Sequence, residues 1–159
     1  MIIVSQAKKT LIIMRGLPGS GKSTRAKALA AGGEIFSTDN FFMKGGKYIY
    51  DPALIGKAHE WNQQAAIVAM IQGVSPVVID NTNIKRMHVE PYIQAAKKLG
   101  YEIQVAEPDS PWWKKHFKRD MTPEDKTKLV KELMSHGTHD VPEAAITKMI
   151  DGWEHDFEV

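Results

Sequence analysis

No cysteine occurs in the 159 residues. That excludes disulfide frameworks and thiolate metal sites, and it suits a reducing compartment, cytoplasmic or nuclear. No stretch approaches the roughly 20 apolar residues that cross a bilayer, so no membrane partner is expected. The opening run MIIVSQAKKTLIIMRG interrupts its apolar residues with polar ones and lacks a small-residue cleavage site, so it does not read as a signal peptide. No segment recurs at a period of about 20 to 50 residues. Charge of one sign is scarce as well: the net charge is +2, too small to argue for a nucleic-acid partner by itself. The histidines, His139 among them, show no metal-ligand spacing, so no zinc is expected.

What remains is ordinary for a globular chain: 43% hydrophobic and 25% charged residues. The length suits a single domain over 1–159 with one substantial core. Apolar runs and breakers alternate along it. TLIIMR (10–15) reads as a buried strand leading into a glycine loop, followed by a helix that stops at Gly32-Gly33. EIFS (34–37) is a second short strand. TDNFFMKGGKYIYDP (38–52) then reads as an irregular, mobile loop around Gly45-Gly46. Asp51-Pro52 caps a long helix. Leu54, Ala58, Trp61, Ala65 and Val68 form its apolar stripe, and it ends near Gly73. PVVIDN (76–81) is a third strand, a helix spans Met87 to Leu99, and YEIQVAEP (101–108) is a fourth strand. Thr122-Pro123-Glu124-Asp125 and Asp140-Val141-Pro142 open two more helices. Strands alternating with helices predict an α/β fold, a central parallel sheet flanked by helices on both faces. Such a sheet binds ligands at the carboxyl ends of its strands.

Residues 16 to 24, GLPGSGKST, match G-x-x-x-x-G-K-[ST], with a strand before and a helix after. Gly16, Gly19 and Gly21 let the backbone turn successive N–H groups toward phosphate oxygens, with Pro18, Ser20 and Thr24 completing the loop. The helix start at Lys22 adds its positive end. Lys22 is expected to reach the β- and γ-phosphates of ATP, and the Ser23 hydroxyl to ligate Mg²⁺. Asp80 ends the VVID strand, where a second acidic group stands near the magnesium shell. DNTN is also dense in turn formers, so a cap or turn role fits Asp80 too. No N-K-x-D guanine signature occurs, and the chain is small for an ATPase motor. A small P-loop kinase is the reading left. A kinase must also orient an acceptor hydroxyl and take up its proton, and Asp39 in STDNFF stands just past the second strand to do so; an ordinary helix cap before the aromatic pair is the other reading of Asp39.

Together, RGLPGSGKST, STDNFF, YDPALIGKAHEWN, SPVVIDNTN and GYEIQVAEP resemble the P-loop polynucleotide 5′-hydroxyl kinase family. The likeness is to the NEDD4-binding-protein-2-like kinases and to the kinase domains of tRNA-healing enzymes and of the cyclic-nucleotide phosphodiesterase of myelin. It runs from about Leu11 to Trp153. The resemblance implies transfer of the γ-phosphate of ATP to a 5′-hydroxyl end of RNA or DNA. Asp39 would act on the acceptor hydroxyl, Lys22 and Ser23 on phosphate and magnesium, and Asp80 would match the aspartate ending the third strand. Two positions depart from the pattern. Phe42 stands where phage-type members carry an arginine for the acceptor phosphate. His136 stands at the place of a lid arginine, whose charge a histidine supplies only partly at pH 7; Arg119, Lys128 or Lys131 are candidate substitutes. Members with a healing role carry a further phosphodiesterase domain, and the chain reads either as complete or as cut from such a protein.

The candidate acceptor groove takes His59 and Asn62 from the long helix, and Asn83, Lys85 and Arg86 from the stretch after the third strand, where Lys85 and Arg86 fit a solvated first helical turn equally well. Trp61 is expected in the core; Trp112 and Trp113 are candidates to stack bases, but SPWWKK reads more readily as a helix start packed against the sheet. Seven Lys or Arg against three acids between Pro111 and Lys131 form either a solvated face or a phosphate-facing surface. Two other functions compete: a small-molecule kinase of the gluconate or adenylylsulfate kinase sort, and a nucleotide-binding adaptor without turnover.

Overall fold

The computed structural model describes residues 8–137 and 141–159; His139 and the expected cap at Asp140 lie outside them. Four strands, β1 (Thr10–Met14), β2 (Glu34–Phe36), β5 (Val77–Ile79) and β6 (Glu102–Ala106), pair in parallel in the order β2-β5-β1-β6. These are the four strands read from the sequence.

Side-chain alternation along β1 assigns each face of the sheet its own core. Leu11 and Ile13 join Val77 and Ile79 beneath α2 (Ile55–Ile71) and α3 (Glu90–Lys98), where Ala66, Met70, Tyr92 and Ile93 meet them. Ile12 and Met14 face the other way with Val78, against Ala26 and Ala30 of α1 (Lys22–Leu29) and its cap. Helices therefore cover both faces, as the alternating pattern predicts. A third cluster draws α4 (Pro111–His116), α5 (Pro123–His136) and α6 (Glu143–Gly152) around Leu17 of the glycine loop, with Trp113, Leu133, Ile146 and Trp153 fully or nearly buried.

Register decides where the chemistry lies. Phe36 pairs with Ile79 and Ile79 with Ile13, so β2, β5 and β1 end level. The residues that follow, 37–39, 80–81 and 15–16, emerge along one edge of the sheet.

Two expectations need correction. The buried line of α2 runs Ala58, Asn62, Ala66, Ala69 and Met70, one residue away from the expected stripe, leaving Trp61 and Val68 42% and 50% exposed. The reason is Asn62. Its amide donates to Tyr92 Oη at 2.9 Å, which lets a polar residue occupy a core position that pattern alone assigns to an apolar one. Second, 38–52 is not irregular. Thr38–Phe42 forms a 3-10 helix capped by Ser37, and β3 (Met43–Lys44) pairs antiparallel with β4 (Lys47–Tyr48). Gly45 and Gly46, at φ 57° and 79°, make the two-residue turn whose twist matches a hairpin.

Candidate active site

The edge where β1, β2 and β5 end borders a cavity of about 860 Å³. Pro18, Gly19, Ser20, Gly21, Lys22, Ser23 and Thr24 line it from the glycine loop, and Asp39, Asp80, His59 and His136 reach it from four other segments. Gly16 stands outside the lining at the base of the loop. A methyl group there would come within 2.8 Å of Ser20 Oγ.

The loop is shaped for an anion. Gly19 and Gly21 take φ of 81° and 91°, which favour glycine. Ser20 is 4% exposed and its hydroxyl has no partner among the described residues, a donor left for a bound oxygen. Gly19 answers to a second constraint. A Cβ there would meet Leu133 O at 2.1 Å, so the last turn of α5 abuts the loop, and this contact sets His136 at the cavity. The His136 ring stands 5.6 Å from that of Trp112, edge to face, and 4.0 Å from Glu132 Oε2.

Lys22 Nζ lies 2.7 Å from Asp80 Oδ1, both side chains largely buried. Ser23 borders the same space. A hydroxyl, a carboxylate and phosphate oxygens are the hard donors that Mg²⁺ takes in such loops, and Ser23 with Asp80 would hold it here. These residues thus fit a nucleoside triphosphate and its magnesium.

Across the cavity Tyr48 Oη donates to Asp39 Oδ1 at 3.2 Å. Burial, reinforced by the Asp39 carboxylate, pushes the Tyr48 phenol up to about 12, so it remains a donor across the physiological range. His59 Nδ1 stands 3.4 Å from Thr38 Oγ1. The protein around the His59 ring lowers its pKa although the residue keeps substantial exposure.

Four expected groove residues are not in the cavity. Asn62 is in the core, as above. Asn83, at φ 46°, is 4% exposed; its amide donates to Met14 O at 2.6 Å and its carbonyl accepts from Arg15 Nε at 2.8 Å. Lys85 points to solvent, and Arg86 pairs with Glu90 and donates to Glu158 O at 2.9 Å. The cause is shared: after Asn81 the chain passes under the glycine loop, with Gly16 N donating to Thr82 O, and runs toward the C-terminal segment.

Arg15 secures that path. It is 3% exposed, donates also to Ile84 O and Glu154 O, and lies between the rings of Trp153 and Phe157 at 4.1 and 4.0 Å. Burial lowers its pKa, against the raising pull of Glu107 and Glu154.

Sequence reasoning missed Tyr48 and Tyr50 and favoured a packing role for Trp112; all three line the cavity. Two aromatics at i and i+2 after a Gly-Gly pair are a hairpin signal that could have found the tyrosines. Nothing local separates Trp112, at the cavity, from Trp113, which is 2% exposed in the helical layer. Of the basic segment, Arg119 is held by Asp156 at 2.6 Å and Lys126 by Asp151 at 3.0 Å, while Lys114, Lys115, Lys118, Lys128 and Lys131 are exposed.

A family described as AAA domain matches residues 11–154. The chain belongs to this family. This AAA-domain chain has the α/β fold of P-loop kinases, and its relatives carry the likeness read from the motifs. It is 39% identical over 147 residues to human NEDD4-binding protein 2, covering 91% of this chain and 8% of that protein. It is 30% identical to the 2′,3′-cyclic-nucleotide 3′-phosphodiesterase of Pongo abelii, covering 67% of this chain and 26% of that one. The chain thus spans under a third of either relative. Among solved structures, a chain of the Pnkp1/Rnl/Hen1 RNA repair complex shares the fold with a TM-score of 0.61 at 21% identity, over 93% of this chain and 45% of that one. Among the described residues, no helix is long and apolar enough to cross a membrane.

Proposed function

We propose that this domain, 1–159, transfers the γ-phosphate of ATP to the 5′-hydroxyl end of an RNA or DNA strand, with Mg²⁺. One observation carries the reading: the Asp39 carboxylate and the P-loop Lys22 border a single cavity, delivered by strands that end level. The RNA repair complex among its structural neighbours and a relative named for a cyclic nucleotide support the choice of a nucleic-acid acceptor.

Bound Mg·ATP supplies the phosphoryl group and part of the charge neutralisation. The protein positions and stabilises. Loop N–H groups and Lys22 hold the phosphates, with Ser23 and Asp80 at the metal. Asp39, oriented by the Tyr48 hydroxyl, accepts the acceptor O–H proton as the new O–P bond forms and the bond from phosphorus to the ADP oxygen breaks. His136, at the far wall, offers charge when protonated. His59 stays neutral at pH 7 and can hydrogen-bond the acceptor sugar. Asn62, Asn83, Lys85 and Arg86 lie outside the cavity lining and are given no role in this reading.

The test is Asp39→Asn, which keeps size but cannot take the proton. Transfer from labelled ATP to a 5′-hydroxyl RNA should fall about a hundred- to ten-thousand-fold, with Mg·ATP affinity unchanged by calorimetry. Unimpaired transfer would remove Asp39 from the mechanism. Transfer by the wild type to small hydroxyl compounds in place of any oligonucleotide would overturn the acceptor.

A further inference from the structure

The β3–β4 hairpin carries more than a hydrogen bond to Asp39. Ile49 N–H donates to Phe42 O at 2.8 Å, extending the β3–β4 ladder past Tyr48. Extended backbone puts Tyr48 and Tyr50 on one side of the chain, and their rings lie 6.4 Å apart with planes 12° from parallel. Phe42, 2% exposed, meets both rings edge-on from behind, 6.2 Å from Tyr48 and 5.1 Å from Tyr50. Phe41 meets Phe42 edge-on in turn, and Trp61 packs against Phe41. The two tyrosines are therefore held in place before anything binds.

Packing alone does not account for this arrangement. Tyr50 is 51% exposed and borders the same cavity as Lys22 and Asp39. A flat, pre-set, solvent-facing ring beside a phosphoryl-transfer site is suited to a planar partner. Lys44 and Lys47 stand exposed at the tip of the same hairpin. Cations flanking stacked aromatics are the combination that tracks a single strand: bases stack, and phosphodiesters follow the charge.

We propose that the Tyr48–Tyr50 ladder seats the 5′-terminal nucleobase of a single-stranded acceptor. In this arrangement the base stacks on Tyr50, its ribose 5′-hydroxyl is turned toward Asp39, and the following phosphodiesters run past Lys44 and Lys47. The proposal rests on the polynucleotide-kinase reading for the identity of the acceptor. It extends that reading by assigning recognition of the end to base stacking, with Phe42 as the backing of the platform.

Binding separates the two ideas. Anisotropy of labelled single-stranded RNA with a 5′-hydroxyl is measured on wild type, Tyr50→Ala and Tyr50→Phe, beside the same RNA lacking only its first base. Tyr50→Ala should weaken binding of the intact RNA roughly 5- to 150-fold, the range for one base on one aromatic ring. It should leave the abasic RNA unaffected, and Tyr50→Phe should bind both like wild type. Lys44→Ala with Lys47→Ala should lower the salt slope without changing the base dependence. Equal losses for intact and abasic RNA, or none, would overturn the platform even if phosphate transfer is robust. No RNA binding by the wild type would overturn it as well. Tyr50-dependent binding in a protein that transfers no phosphate would uphold the platform and sink the kinase reading alone.

Discussion

Lys22 Nζ stands 2.7 Å from Asp80 Oδ1, joining the helix after β1 to the end of β5. The side chains are 12% and 8% exposed, so each neutralises a charge that burial would otherwise penalise. Both are also the groups proposed for phosphate and magnesium, so a bound nucleotide replaces one partner with another. Their positions are set before it arrives.

Lys22→Ala should therefore lose two things. Mg·ATP affinity should fall about 10- to 150-fold, the worth of a charge-assisted hydrogen bond, and stability should fall because Asp80 is left unpaired. Adding Asp80→Asn should recover the stability and not the affinity. Thermal melts and calorimetry on the single and double variants check this; a double variant that rebinds Mg·ATP at wild-type strength would exclude Lys22 from the phosphate site.

Tyr48→Phe keeps the ring and removes the hydroxyl 3.2 Å from Asp39. Transfer should drop about 2- to 10-fold, the contribution of one hydrogen bond, while RNA and ATP binding hold. A kcat equal to wild type would show that Asp39 needs no help from Tyr48.

Gly19 and Gly21 share a positive φ but not their surroundings. Among the described residues nothing lies within 4 Å of a Cβ built on Gly21, whereas one on Gly19 would meet Leu133 O at 2.1 Å. Gly21→Ala should cost the conformational strain alone, about 1–3 kcal/mol. Gly19→Ala should cost a further ~1–3 kcal/mol, because the end of α5 must move. Denaturant unfolding of the two variants measures the difference, and equal losses would mean that α5 yields freely.

His59 and His88 both have pKa values held below 6.5, by burial first and, for His88, by the nearby His59. A depressed histidine pKa means that the unfolded chain binds the proton more readily. Stability should be fully present above the unfolded value of 6.5 and decline as pH falls through it toward the lower folded values. His59→Gln should flatten part of that decline. Melting temperature followed from about pH 8 to pH 5 reads the slope; an unchanged slope would assign the decline elsewhere.

Much of this protein is local, and so was legible in the sequence. The glycine loop, its lysine and serine, the four strands and most helix starts depend on residues a few positions apart. Thr122 with Asp125, and Asp51 with Ala53, form the caps that their spacing implies. The places of Asp39 and Asp80 at the cavity were legible because each stands just past the end of a strand, and parallel strands open their ligand sites at that end.

Contacts between distant residues decided the rest. Asn62 is polar by type but lies in the core, because Tyr92, thirty residues away in sequence, accepts its hydrogen bond. Lys85 and Arg86 follow DNTNI directly yet leave the site, because Arg15, Glu154 and Glu158 draw that stretch toward the C-terminal segment. Tyr48 and Tyr50 become a platform only when Phe42 is packed behind them. Local spacing determines which backbone a segment adopts. Which face of that backbone meets the cavity depends on long-range packing and on where each buried polar group finds its partner.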